Sequence, residues 1–239
     1  MKIAFISDIH GNAIALDAVI SDLEEKNVDQ IFVLGDLCYR GPEPKRALEM
    51  IRSLNADVIK GNADEWVVRG VKKGEMPDEA LDLMNKERDW TFAQLDSEDI
   101  DYLKQLPTEK NIHIGNVNIF AFHATPDSLF DVVLPNTNDE VLQEKMISKT
   151  DADIYVYAHI HRPYIRSVQG KIVMNIGSVG LPFDGITKAS YGLLEIKNGN
   201  IRTSIERVNV DIEQVAQKYK DVGYPNAEMM INVVRNGGF

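Results

Sequence analysis

Four of the five histidines in this 239-residue chain fall at the ends of short apolar runs, where carboxylate and amide side chains also collect. "KIAFI" (2–6) leads into "SDIHGN", with Asp8 and His10. "QIFVL" (30–34) leads into "GDLCYRGP", with Asp36. "DVIK" (57–60) leads into "GNAD", with Asn62 and Asp64. "VNIFAF" (117–122) is followed by His123, and "DIYVYA" (153–158) by His159 and His161. Residues two apart in extended chain point the same way, so Asp8 can converge with His10, and His159 with His161. The donors are carboxylate and amide oxygens and imidazole nitrogens, without thiolate. That set suits Mn, Fe, Zn, Co or Ni, and holds too much imidazole for Mg or Ca alone. Seven donors (Asp8, His10, Asp36, Asn62, His123, His159 and His161) exceed the needs of one catalytic ion with open positions. They fit two divalent ions if one carboxylate bridges them. Taken singly, Asp8, Asp36 or Asn62 reads as a helix cap or turn residue; the ordered series points to a metal site.

The apolar runs, with "KIVMNI" (171–176), read as strands buried on both faces. Helical stripes lie between several of them: Leu16, Val19, Ile20 and Leu23; Ala47, Leu48, Ile51 and Leu54; Val141, Leu142 and Met146. Strands alternating with helices predict an α/β layered fold, and the carboxyl ends of its strands are where ligands bind. Glycines at 11, 35 and 61 let the backbone turn beside those ends. "YGLLEIKNGNIRTSIERV" predicts a hairpin turning at Asn198-Gly199, and "IHIGNVNIF" another at Gly115-Asn116, so the sheets are expected to be mixed. A final helix is expected at 211–220. Residues 65–106 contain no good strand and predict a helical insertion, or lid, in a single domain spanning 1–239, with Ser97 as a helix cap.

The formal net charge of -11 disfavours a nucleic-acid polymer or an anionic membrane as partner unless a local site reverses the sign. No run approaches a membrane span, and "MKIAFISDIHGN" does not read as a signal peptide. The single cysteine, Cys38, rules out an intramolecular disulfide and fits a cytoplasmic protein.

In this order, "SDIHGN", "GDLCYRGP", "GNAD", His123, "AHIH" and "NIGSVGLP" resemble the motif series of the calcineurin-like metallophosphoesterases, most of all their compact bacterial and archaeal phosphodiesterase branch. The likeness runs from residue 1 to about 183. It implies a four-layer αββα sandwich with the metal site at one edge. It implies Asp8, His10 and His161 around one ion, Asn62, His123 and His159 around the other, and Asp36 as the bridge, with Asp36, Asn62 and His123 counted as catalytic. Two ions about 3.5–4 Å apart turn a shared water into hydroxide near neutral pH and orient a phosphoryl group for in-line attack. They also stabilise the charge that develops on it, and reverse the local field of an acidic chain.

Three departures matter. "GNAD" places Ala63 where the family usually has a histidine that assists the leaving group; Asp64 is the candidate replacement. "AHIH" has Ala158 for glycine, and "NIGSVG" lacks the family's proline. Arg40 is either a bidentate phosphate contact or a plain loop arginine. Trp66 and Trp90 read as packing of the insertion rather than as stacking platforms, and Arg69 and Arg88 stay open. His113 reads as a surface residue, and Ser178 as turn geometry rather than a nucleophile.

The expected function is metal-dependent hydrolysis of a small phosphodiester or nucleotide-type ester, with manganese foremost among the two bound ions. The alternatives are a phosphoprotein phosphatase, or a non-catalytic scaffold of the kind the fold supplies to a eukaryotic trafficking subunit.

Overall fold

The computed structural model describes residues 1–197 and 199–238. The chain opens with β1 (Lys2–Ile6), α1 (Ala13–Glu25), β2 (Gln30–Val33), α2 (Pro44–Ser53) and β3 (Asp57–Val58). Three helices follow: α3 (Asn62–Arg69), α4 (Asp78–Phe92) and α5 (Ser97–Gln105). Next come β4 (Glu109–Ile114), β5 (Val117–Phe122) and α6 (Asp139–Leu142), which runs into a π-helical turn at Gln143–Ile147. Then β6 (Ile154–Tyr157), β7 (Tyr164–Val168) and β8 (Lys171–Asn175) complete the middle of the chain. It ends with β9 (Lys188–Lys197), β10 (Asn200–Asn209), α7 (Ile212–Asp221) and α8 (Ala227–Asn236).

Two five-stranded sheets result, ordered β10-β9-β1-β2-β3 and β4-β5-β6-β8-β7. Both are mixed. β1, β2 and β3 run parallel while β9 pairs antiparallel with β1 and with β10. In the second sheet β5, β6 and β8 run parallel, flanked by antiparallel β4 and β7. Side-chain alternation sorts β1 between two cores. Ala4 and Ile6 pack with α1 and α2 residues such as Leu16, Val19, Leu48 and Ile51. Ile3 and Phe5 pack between the sheets, with Ile119, Ile154, Val156 and Met174. On the far face of the second sheet, Phe120, Phe122, Tyr155 and Tyr157 meet Leu142 and Met146. The order helix, sheet, sheet, helix is the expected αββα sandwich.

Several boundaries differ from the sequence reading. β3 is only two residues long, and β2 stops at Val33. β7 was not expected: it is an edge strand following Pro163, with exposed Ile165 and Ser167, and carries no continuous apolar run. The helix expected to close the chain is followed by α8, whose "MMINVV" is helical because α7 receives Met230, Ile231, Val233 and Val234 on one face. The cap of α5 is Asp96, not Ser97. Its carboxylate accepts from the Asp99 N–H, and Asp99 accepts from the Asp96 N–H in return. In the hairpin expected at Asn198-Gly199, Asn198 lies outside the described residues, while β9 and β10 pair over their whole length.

The helical stretch starts at Asn62, three residues before the expected bound. Trp66, Val67, Met84, Ile100 and Leu103 join the core shared with α1 and α2. The Trp66 indole N–H donates to Glu75 at 2.9 Å, and Trp90 meets Tyr224 edge-on at 4.9 Å. Arg69 pairs with Glu65 and Glu75, and Arg88 caps the Val67 and Val68 carbonyls. His113 is exposed and bonds across the strand pair to Asn118.

Phe5 is fully buried and stacks on Phe32 at 5.2 Å between the sheets. Phe5→Ala is expected to cost about 3–5 kcal/mol of unfolding free energy in a urea titration. A cost under about 1 kcal/mol would mean that the space between the sheets is not packed as described.

Candidate metal centre

β1 and β2 lie side by side and end together, so their exit loops run against each other. The Asp8 N–H donates to the Gly35 carbonyl, the His10 N–H to the Asp36 carbonyl and the Gly11 N–H to the Leu37 carbonyl, at 2.9–3.1 Å. The third loop locks in through Asp64, whose carboxylate accepts from the N–H groups of Asp36, Leu37 and Gly61. Gly35, with φ +92°, lies so close to Gly61 that a Cβ on it would sit 2.2 Å from the Gly61 nitrogen.

Asp8, His10, Asp36, His159 and His161 all have φ between 48° and 68°, in the left-handed region that is uncommon outside glycine and that Asp and His enter more readily than most. The expected extended i, i+2 geometry is therefore not what brings these pairs together. Left-handed turns aim both members of each pair inward instead.

All seven expected donors meet at one place. Asp8, His10, Asp36 and His161 each present a ligand atom, all within 4.8 Å of one another. His10 Nε2 and His161 Nε2 are 3.1 Å apart, and His161 Nε2 is 3.3 Å from Asp8 Oδ1. On the other flank Asn62 Oδ1 lies 2.9 Å from His123 Nε2 and 2.8 Å from His159 Nδ1. Asp36 Oδ2 stands between the flanks, 3.7 Å from His10 Nε2 and 3.5 Å from His123 Nε2.

Outer contacts set the tautomers. His10 Nδ1 faces the Tyr39 carbonyl at 2.8 Å, His161 Nδ1 the Leu181 carbonyl, and His123 Nδ1 the Leu34 carbonyl at 2.6 Å. A carbonyl cannot donate, so each Nδ1 carries the proton and each Nε2 faces the centre. The second oxygen of Asp36 accepts from the Ala63 N–H at 2.8 Å, which leaves Oδ2 to the centre. Ser178 Oγ donates to the Asp8 carbonyl and accepts from the Leu181 N–H, both at 2.8 Å, so it clamps two site loops. The Phe183 ring stacks on His161 at 4.4 Å.

These residues fit a cation. Asp8 Oδ1 is buried with no hydrogen-bond donor among the described residues. Burial and the neighbouring His161 push His10 down to about 4, and burial with His123 does the same to His159. Burial also opposes charge on His123, but the Asp36 carboxylate and its hydrogen bond outweigh it and hold that ring up at about 9. Burial would raise Asp36, yet His123 and His10 carry it below the usual carboxylate range. Buried anionic oxygens facing imidazole nitrogens bind a proton or a metal ion at the same atoms.

Asp64 and Arg40 have partners the sequence did not show. Both Asp64 oxygens are occupied by backbone N–H groups, so it frames the loops instead of reaching a leaving group. Arg40 is not a plain loop arginine: it is largely buried, with Nε 3.2 Å from Glu87 Oε2. The sequence could not reveal the carbonyls of Leu34, Tyr39 and Leu181, because any residue supplies a carbonyl.

Residues 1–199 match the calcineurin-like phosphoesterase superfamily domain. An uncharacterised protein of Methanocaldococcus jannaschii is 32% identical over 237 residues, covering 90% of each chain. A phosphodiesterase of Escherichia coli K12, YfcE, is 25% identical over 206 residues, covering 82% of this chain and 88% of that one. The crystal structure of a metallophosphoesterase from Sphaerobacter thermophilus superimposes with a TM-score of 0.79 at 26% identity, covering 99% of both chains.

Ser178→Ala removes one donor from the Asp8 carbonyl and one acceptor from the Leu181 N–H. It is expected to lower the unfolding free energy by about 1–3 kcal/mol, the cost of the buried Leu181 N–H left unpaired, since the Asp8 carbonyl keeps the Gly180 N–H. A melting curve that matches the unsubstituted protein would remove Ser178 from its role as a clamp.

Proposed function

The chain belongs to the calcineurin-like phosphoesterase superfamily, and from that premise we propose that it hydrolyses small phosphodiesters or nucleotide-type esters at a pair of divalent ions, manganese foremost. The observation that carries this reading is the placement of Asp36 Oδ2 between two groups of imidazoles, 3.7 Å from His10 and 3.5 Å from His123. Asp8, His10 and His161 would hold one ion, Asn62, His123 and His159 the other, and Asp36 would bridge them. When bound, such ions supply Lewis acidity and a water acidic enough to attack at neutral pH.

The chain's own residues supply orientation. The Leu34, Tyr39 and Leu181 carbonyls keep three Nε2 atoms facing inward, and the Ala63 N–H fixes one oxygen of Asp36. Ala63 brings no side-chain acid to the leaving group, which favours esters with good leaving groups over alkyl monoesters. The formal net charge of -11 favours a small substrate over a polyanion. We read α3, α4 and α5 as a fixed wall of a single domain, because they are packed into its core. No helix among the described residues is long and apolar enough to cross a membrane, and a lone, buried Cys38 suits a reducing cytoplasm.

The test is hydrolysis of paired chromogenic mono- and diester phosphates by metal-stripped protein, before and after addition of Mn²⁺. Turnover is expected to return with the metal and to favour the diester. Asp36→Asn is expected to lower kcat/KM by more than about 100-fold, since outer partners of metal ligands alone are worth 10–100-fold. Metal uptake without turnover on either ester would favour a binding scaffold, and turnover confined to phosphopeptides a protein phosphatase.

A further inference from the structure

A second buried polar cluster adjoins the loop that carries Asp36, and none of its members is among the proposed metal ligands. Arg40 Nε lies 3.2 Å from Glu87 Oε2, and the Glu87 side chain has no exposed surface. Asn226 Nδ2 donates to the other Glu87 oxygen at 3.3 Å, and the Tyr219 hydroxyl donates to the Arg40 carbonyl at 2.8 Å. Arg40 Nε, Glu87 Oε2 and Tyr224 Oη are all buried without an aligned hydrogen bond among the described residues. Three distant parts of the chain meet here: the Asp36 loop, α4, and the α7–α8 pair. The last lies beyond residues 1–199, the span matched to the family.

Stability alone accounts poorly for such a cluster. A buried ion pair with imperfect hydrogen bonds rarely outperforms apolar residues of the same volume. Its location suggests another role. Arg40 is itself left-handed, with φ 69°. The residue before it, Tyr39, offers the carbonyl that fixes His10 Nδ1 at 2.8 Å. The residue after it, Gly41, lies so close to His10 that a Cβ there would be 1.6 Å from the His10 carbonyl oxygen. Glu87 therefore holds the side chain, and Tyr219 the carbonyl, of the residue between two direct contacts to a metal-facing histidine.

We propose that Glu87 is a positioning residue: through Arg40 it fixes the 39–41 turn and with it the orientation of His10 toward a divalent ion. This rests on the dimetal reading above. On this view α4 and the α7–α8 pair act as a brace for the metal centre, through one ion pair and one tyrosine.

The experiment measures Mn²⁺ affinity by titration calorimetry on the metal-stripped full chain, alongside the thermal midpoint. Glu87→Gln keeps the shape of the side chain and removes its charge. The double variant Arg40→Met/Glu87→Met replaces the pair by apolar volume and is expected to melt at or above the unsubstituted protein. Both variants are expected to bind Mn²⁺ about 10-fold more weakly, at the lower end of the effect of groups behind metal ligands. If the double variant stays folded and binds Mn²⁺ as tightly as the unsubstituted chain, the proposal is overturned and the pair is structural. A Glu87→Gln variant that loses thermal stability but no affinity overturns it equally. An unsubstituted chain that takes up no Mn²⁺ fails at the dimetal reading itself, a result distinct from either.

Discussion

Five inward-facing residues, Asp8, His10, Asp36, His159 and His161, sit on left-handed backbone. Each such residue costs about 1–3 kcal/mol and persists only where its surroundings over-determine it. Here the surroundings are other loops. The Asp8 and His10 N–H groups are bound by the carbonyls of the Asp36 loop, and the His159 N–H by an Asp8 oxygen. The Asp8 carbonyl is bound in turn by the Gly180 N–H and Ser178 Oγ. Every turn that aims a donor inward is held by the next turn, so the strained geometry belongs to the ring of loops and not to any one of them. The parallel neighbours β1 and β2, and the facing second sheet, are what bring those loops within reach of one another.

The same arrangement answers the electrostatic problem of burying carboxylates and imidazoles in an acidic protein. Buried charge is tolerated only when paired or ligated. Asp64 shows one solution, three backbone N–H donors for one carboxyl group, although burial and the neighbouring Asp36 still raise it to about 7. Asp8 and Asp36 show the other: each keeps an oxygen facing imidazole nitrogens, and for Asp8 Oδ1 no donor is present among the described residues. The difference between framing and binding carboxylates thus lies in which groups surround them.

Much of this was legible in the sequence because the site is written in side chains. His123, His159 and His161 stand where apolar runs stop, and strand ends are readable from Ile, Val, Phe and Tyr. The α/β layering followed from the same runs, and the αββα sandwich from the resemblance to the calcineurin-like phosphoesterases. What was not legible depends on backbone or on tertiary partners. β7 is an edge strand with alternating polar residues, and α8 carries an apolar string that packs against the neighbouring α7. Asp64 resembled an acid near the site because sequence gives position but not the direction of an oxygen. Arg40 met a partner 47 residues away in sequence, a pairing with no local signature. Asp8 and His10, and His159 and His161, are brought together by left-handed turns where extended chain was expected.

The central position of β1 also governs how the chain emerges during synthesis. β1 is made before both of its neighbours in the sheet, β2 and β9, and β9 begins at Lys188. Until that late segment appears, one side of β1 is an unpaired apolar edge of the kind that recruits other chains. The Asp8 turn likewise waits for Ser178 and Gly180. Nascent chain that stalls or is cut before this point would keep β1 and β2 able to pair but would lack the closing strand. Quality control acting on such fragments would therefore meet a sticky half-sheet rather than a partly active enzyme.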